Sequence, residues 1–198
     1  LNMYHMTYQE IKEFDCGSLF NQDFSSQEKI KVSKPLLSEV LDTVEQVAIA
    51  KDQLINYNIE LKSELALEGI YHPEVATFSD AVYHMINDQI GWSRITIQSF
   101  DFRILQYFKK HYPDVPLALL IENKVSWNWN IDSLGFKPDI YSCEYRLLNP
   151  EIISELQNEN IKVIPWTVND SLDMRQLIRW GVNGFITDYP NIAFQILD

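Results

Sequence analysis

Three short stretches hold side chains whose type and spacing suit chemistry. The first is Asn58-Ile59-Glu60-Leu61-Lys62, where period-two spacing would put Asn58, Glu60 and Lys62 on one face of a strand. A carboxylate suits a hard cation such as Mg²⁺ or Ca²⁺, and a neighbouring ammonium suits a phosphate oxygen. The same pattern also describes a structural Glu–Lys ion pair or a solvated strand face. The second is Pro165-Trp166-Thr167-Val168-Asn169, whose indole could wall a substrate pocket or fill core space. The third is Ser99, which ends Ile95-Thr96-Ile97-Gln98-Ser99 and has no histidine spaced near it to make it a nucleophile. The four histidines, His5, His72, His84 and His111, fall on expected helices or loops and read as surface or packing residues. No HExxH, nucleophile elbow, EF-hand, P-loop or GxGxxG is present.

The elements that must position these groups alternate. Strands are expected near Ile59, Ile97, Leu119, Ile140, Ile164 and Ile186. A short helix is expected at residues 8–14, and a longer one opens at Pro35 with Leu37, Val40, Leu41, Val44 and Val47 on one face. Phe78, Ala81, Val82, Met85 and Ile86 mark the next helix. Asp101 caps one with Ile104, Leu105 and Phe108, Asn149-Pro150 opens another, and a last one starts at Ser171 and stops at Gly181. Leu117 to Ile121 is continuously apolar, the mark of a strand buried on both faces. Strands alternating with helices imply a parallel sheet, either doubly wound or a (β/α) barrel. A (β/α)8 barrel takes about 250 residues, so six units in 198 residues fit one that lacks about two units.

Composition narrows the function. The chain is 46% apolar and 22% charged, with a net charge of −12. That describes a globular chain, taken here as one domain over residues 1–198. The acidic balance argues against nucleic-acid binding and against docking on an anionic membrane surface. No run of 18 apolar residues suggests an integral membrane protein. The start, with Leu1 ahead of Met3 and Met6, is not a signal peptide and reads as a processed form or a fragment. The expected setting is soluble: cytoplasmic, or periplasmic or secreted if an upstream signal peptide was removed. Cys16 and Cys143 give neither a zinc framework nor a disulfide scaffold.

Taken in order, Asn58-Ile59-Glu60-Leu61-Lys62-Ser63, Ile97-Gln98-Ser99-Phe100-Asp101, Pro165-Trp166-Thr167-Val168-Asn169 and Gly181-Val182-Asn183-Gly184-Phe185-Ile186-Thr187-Asp188-Tyr189-Pro190 resemble the glycerophosphodiester phosphodiesterase family. The resemblance runs from about Thr7 to Pro190. It implies a (β/α)8 TIM-type barrel whose first two β/α units are lacking in this chain, and hydrolysis of glycerophosphodiesters to glycerol 3-phosphate and an alcohol. It also implies that Glu60 matches the third of three carboxylates holding Mg²⁺ or Ca²⁺, that Lys62 matches the lysine facing the phosphate, and that Trp166 lines the substrate pocket; Ser99, from its place at a strand end, is a second substrate-binding candidate. The family's His-Arg-Gly, Glu-x-Asp and His-Asp stretches, which supply the acid, the base and two metal ligands, do not occur before Thr7. The cation would therefore be incompletely liganded, and a non-catalytic phosphate-binding or scaffold role is the rival reading. A lyase using Lys62 as a Schiff base is a second rival. A barrel without two strands has open edges near Ile59 and Ile186, so a homo-oligomer is a further expectation.

Overall fold

The computed structural model describes residues 1–197. Along the chain run α1 (Tyr8–Ile11), α2 (Leu37–Ala50), β1 (Tyr57–Glu60), α3 (Val75–Gln89), β2 (Ile95–Ser99), α4 (Phe102–His111), β3 (Leu117–Ile121), α5 (Trp127–Leu134), β4 (Ile140–Cys143), α6 (Pro150–Asn158), β5 (Lys162–Val163), α7 (Ser171–Trp180) and α8 (Pro190–Leu197). They form two compact units, Leu1–Asn56 with Glu64–Arg94, and Tyr57–Ser63 with Ile95–Asp198.

The first unit is helical. α1 is shorter than the residue pattern suggests, and a capping box between Thr7 and Glu10 opens it. α2 and α3 pack together, burying Leu41 and Ala48 from one and Ser79 and Ile86 from the other. Arg94 forks onto both carboxylate oxygens of Glu45 at 2.9 and 2.8 Å and donates to the Ile55 carbonyl at 2.7 Å. Bidentate geometry of this kind anchors the end of the unit to α2. Gly17 sits where the chain doubles back: a Cβ there would lie 2.2 Å from the Ile30 carbonyl oxygen, so a side chain would force the two segments apart.

The second unit holds the sheet. Its five strands run parallel in the order β1-β2-β3-β4-β5, each paired with its neighbour in sequence. One face of the sheet carries Ile97, Leu117, Leu119, Ile121, Tyr141, Cys143 and Val163, all buried. α4 covers β2 and β3 with Ile104, Leu105 and Phe108, each fully buried. Asp101 caps α4 by accepting from the Arg103 amide, as its sequence position suggests. Gly181 ends α7 at φ 84°, a left-handed conformation that costs glycine nothing.

Two differences from the sequence expectation are physical. The strand expected over residues 162–168 is regular only at Lys162–Val163; just past it the Ile164 carbonyl accepts from the Ser142 hydroxyl at 2.7 Å, and Pro165, whose backbone faces the other neighbour, has no amide to donate there. Hydrogen bonding to the β4 segment nevertheless continues beyond Val163: the Ile164 amide donates to the Tyr141 carbonyl at 3.1 Å and the Trp166 amide to the Cys143 carbonyl at 3.0 Å. The expected sixth strand at Gly184–Asp188 is not a regular strand. Its segment nevertheless lies against the one carrying Pro165: the Ile186 amide donates to the Pro165 carbonyl at 2.8 Å, and the Val168 amide to the Ile186 carbonyl at 2.8 Å. The Asn183 amide donates to the Val163 carbonyl at 2.9 Å, and side chains add to this ladder. Asn183 Oδ1 accepts from the Val163 amide at 2.8 Å, and Asn169 Oδ1 accepts from the Asp188 amide at 3.0 Å.

Candidate functional site

The sheet register determines which side chains share a face. Glu60, Gln98, Ala118, Ile140 and Lys162 form one row across the five strands. Two residues further along each chain come Lys62, Phe100, Leu120, Ser142 and Ile164, and beyond these Glu122, Glu144 and Trp166 on the same face. The C-terminal ends of these strands therefore gather Glu60, Lys62, Phe100, Glu122, Glu144 and Trp166. Glu60, Lys62, Ser99 and Trp166, the four residues picked out by the sequence, all stand at that end.

Glu60 and Lys62 form an ion pair, Nζ to Oε2 at 3.8 Å, with the ammonium 81% exposed and the carboxylate 24%. A pair whose ammonium is so exposed adds little to stability. Next to Glu60, Asn58 Nδ2 donates to Gln98 Oε1 at 2.7 Å, satisfying two polar groups below the strand end. Trp166 Nε1 donates to the Ser142 carbonyl at 2.9 Å, and its ring meets Phe100 edge-on at 5.4 Å and 83°. The indole is fixed by one hydrogen bond and one aromatic contact, forming a half-exposed apolar corner across the face from the charged pair. Phe100 is the partner the strand-end reading does not pick out. It follows Gln98 by two residues, so period two alone places it on the working face.

Ser99 is a correction. It is fully buried, and its hydroxyl donates to the Leu61 carbonyl at 2.6 Å and accepts from the Asp101 amide at 3.1 Å. A hydroxyl committed to two backbone groups does not line a substrate pocket; it ties the ends of β1 and β2 together. Asp101 continues the tie by accepting from Ser63 Oγ at 2.6 Å and from Arg103 Nη2 at 2.5 Å. Burial pushes the Asp101 carboxyl up, but the hydrogen bonds from Arg103 and Ser63 and the Arg103 charge outweigh it and hold the group below the ordinary carboxylate range. A depressed carboxyl stabilises the fold above its unfolded value of about 3.9, and that contribution is lost as pH falls through the folded value. Urea midpoints measured from about pH 7 to about pH 2 are expected to fall more steeply below about pH 4 for the parent chain than for Asp101→Asn.

The histidines are engaged elsewhere. His72 Nε2 accepts from the Glu64 amide at 3.0 Å, His84 meets the Tyr83 ring edge-on at 5.5 Å, His111 stacks on Tyr107 at 4.3 Å, and His5 tilts against Tyr4 at 5.2 Å. Among the described residues, no group of three or more His, Cys, Asp or Glu is placed to hold a metal ion. Burial pushes the Cys143 thiol up to about 12, so it is no nucleophile at neutral pH. A cavity of about 400 Å³ lies among Ile178, Val182, Phe185, Pro190 and Phe194, and none of the strand-end groups lines it. Among the described residues no helix is long and apolar enough to cross a membrane.

A parallel sheet whose strands neighbour one another in sequence order, with its polar groups at the C-terminal strand ends, defines an α/β protein of the (β/α)-barrel type. The chain belongs to the glycerophosphoryl diester phosphodiesterase family, whose model matches residues 2–192. It is 28% identical to a glycerophosphodiester phosphodiesterase of Bacillus subtilis over 96% of its own length, and it spans 64% of that relative. It is similar to the crystal structure of a Silicibacter pomeroyi protein assigned as a glycerophosphoryl diester phosphodiesterase, at 27% identity and a TM-score of 0.84, over 98% of this chain and 68% of that one. An Oleispira antarctica phosphodiesterase, solved with its product sn-glycerol 3-phosphate, shares the fold at 20% identity and a TM-score of 0.75, over 98% of this chain and 72% of that one.

Proposed function

We propose that this chain carries the phosphate-facing part of an enzyme that hydrolyses glycerophosphodiesters to glycerol 3-phosphate and an alcohol. The observation that supports this is the exposed Lys62 ammonium beside Glu60 at the C-terminal ends of parallel strands, with the Phe100–Trp166 corner on the same face. Lys62 would bind a phosphate oxygen and offset the charge that develops there as the diester bond breaks. The aromatic corner would take the carbon skeleton of the glycerol or head group. Glu60 would give one oxygen ligand to Mg²⁺ or Ca²⁺. Such ions take about six or more oxygen ligands, and one carboxylate already paired with Lys62 does not fit them by itself. The chain's own chemistry is thus binding and charge compensation rather than a full catalytic cycle. The engaged histidines favour a second reading for this chain taken alone, a non-catalytic phosphate-binding protein.

Calorimetric titration with sn-glycerol 3-phosphate tests the shared premise. The parent chain is expected to bind it, and Lys62→Ala to weaken binding by roughly tenfold, the low end for a charge-assisted hydrogen bond. Equal affinity in the two proteins would remove Lys62 from the phosphate site.

A further inference from the structure

The Lys62 side chain is 81% exposed, yet the backbone on either side of it is tied by hydrogen bonds. Before it, the buried Ser99 hydroxyl donates to the Leu61 carbonyl at 2.6 Å, and the Leu61 amide donates to the Gln98 carbonyl at 2.9 Å. After it, Ser63 Oγ donates to Asp101 Oδ2 at 2.6 Å. Asp101 is itself fixed, its Oδ1 accepting from the Arg103 amide and Nε at 3.0 Å each and its Oδ2 from Arg103 Nη2 at 2.5 Å. The bonds flanking Lys62 all lead to one turn, residues 98–103, at the end of the neighbouring strand.

A side chain that is 81% exposed has little packing to direct it, so the position of its Cα decides where the ammonium can reach. Small displacements of a group that must meet a ligand are costly; a shift of about 1 Å can lose about a hundredfold in a reaction. We propose that Ser63 and Asp101 are positioning residues for Lys62: their hydrogen bond holds the backbone so that the ammonium stands beside Glu60, where a phosphate oxygen would meet it. The phosphate part rests on the function proposed above; the positioning part does not.

Both parts are tested on the 198-residue chain. Ser63→Ala removes the tie and leaves the α4 cap intact. Ser63→Val removes the same hydroxyl with a different side chain, so a folding failure in one variant does not decide the matter. Without ligand, the nuclear Overhauser effect between the Lys62 Hε and Glu60 Hγ protons is expected in the parent and lost in both variants. Its absence in the parent, or its retention in Ser63→Ala, overturns the proposal whatever the binding result. With sn-glycerol 3-phosphate, each variant is expected to bind roughly three- to tenfold more weakly, and Ser63→Ala with Lys62→Ala no more weakly than Lys62→Ala alone. A purely structural role would weaken binding equally in both backgrounds and overturn the proposal. If no protein binds but the Overhauser effect disappears in the variants, the positioning stands and the phosphate reading falls.

Discussion

With Mg²⁺ or Ca²⁺ present, the 198-residue chain is expected to release no more than a trace of glycerol 3-phosphate from glycerophosphocholine or glycerophosphoethanolamine. Hydrolysis of a phosphodiester needs a proton taken from water and one given to the leaving alcohol. Each positioned acid or base is worth about 10²–10⁴ in rate, and losses within one machinery are not additive. The strand ends offer an ammonium, carboxylates and an aromatic corner, whereas the histidines are committed to a backbone amide or to tyrosine rings. Enzymatic assay of released glycerol 3-phosphate, run on this chain and on Glu60→Ala, decides the point. Robust turnover that disappears in the variant would show that other residues supply acid and base, with His5 and His72 the first to mutate.

Phe108→Ala is expected to destabilise the fold by about 3–5 kcal/mol. The ring is fully buried on α4, which covers β2 and β3, and Ile104 and Leu105 beside it are equally closed to solvent. Close-packed neighbours collapse only partly into the space left, so the loss combines transfer and cavity costs. For a chain of this size each kcal/mol moves the midpoint by about 2–4 °C, giving a fall of roughly 6–20 °C in a thermal melt followed by circular dichroism. Phe194→Ala is the control: that ring is 68% exposed on α8 and its loss should move the midpoint little. A small shift for Phe108→Ala would mean that α4 does not seal the sheet.

What the sequence reveals follows from what is local. Leu117 to Ile121 can be read as a buried strand because every residue is apolar, and Asp101, Pro150 and Gly181 mark helix ends by their own conformational preferences. Glu60 and Lys62 can be read together because two residues of one strand share a face. The helix α5 is not legible in the same way. Trp127-Asn128-Trp129-Asn130 carries no helical stripe, and only the Ser126 cap and Gly135 at φ 85° betray it. The regular strand is overestimated around Pro165 and Ile186, where backbone bonds are supplemented by the Asn183 and Asn169 side chains, contacts that no local pattern encodes. The role of Ser99 is invisible for a different reason: its partner, the Leu61 carbonyl, lies 38 residues away in the chain, and no periodicity encodes that contact.

The sequential strand order also has a kinetic consequence. β2 with β3, β3 with β4 and β4 with β5 join residues 20 to 22 positions apart, as in Ile97 with Leu117 and Ala118 with Ile140. β1 must instead close over 38, from Tyr57 to Ile95, across a stretch that itself belongs to the helical unit. Loop-closure entropy makes that join the costlier one by roughly 0.5 kcal/mol, before the ordering of the intervening residues is counted. The strand bearing Glu60 and Lys62 is thus expected to join the sheet late, after the transition state for folding. Mutations at β3 should slow refolding, whereas mutations at the buried Leu61 should mainly speed unfolding.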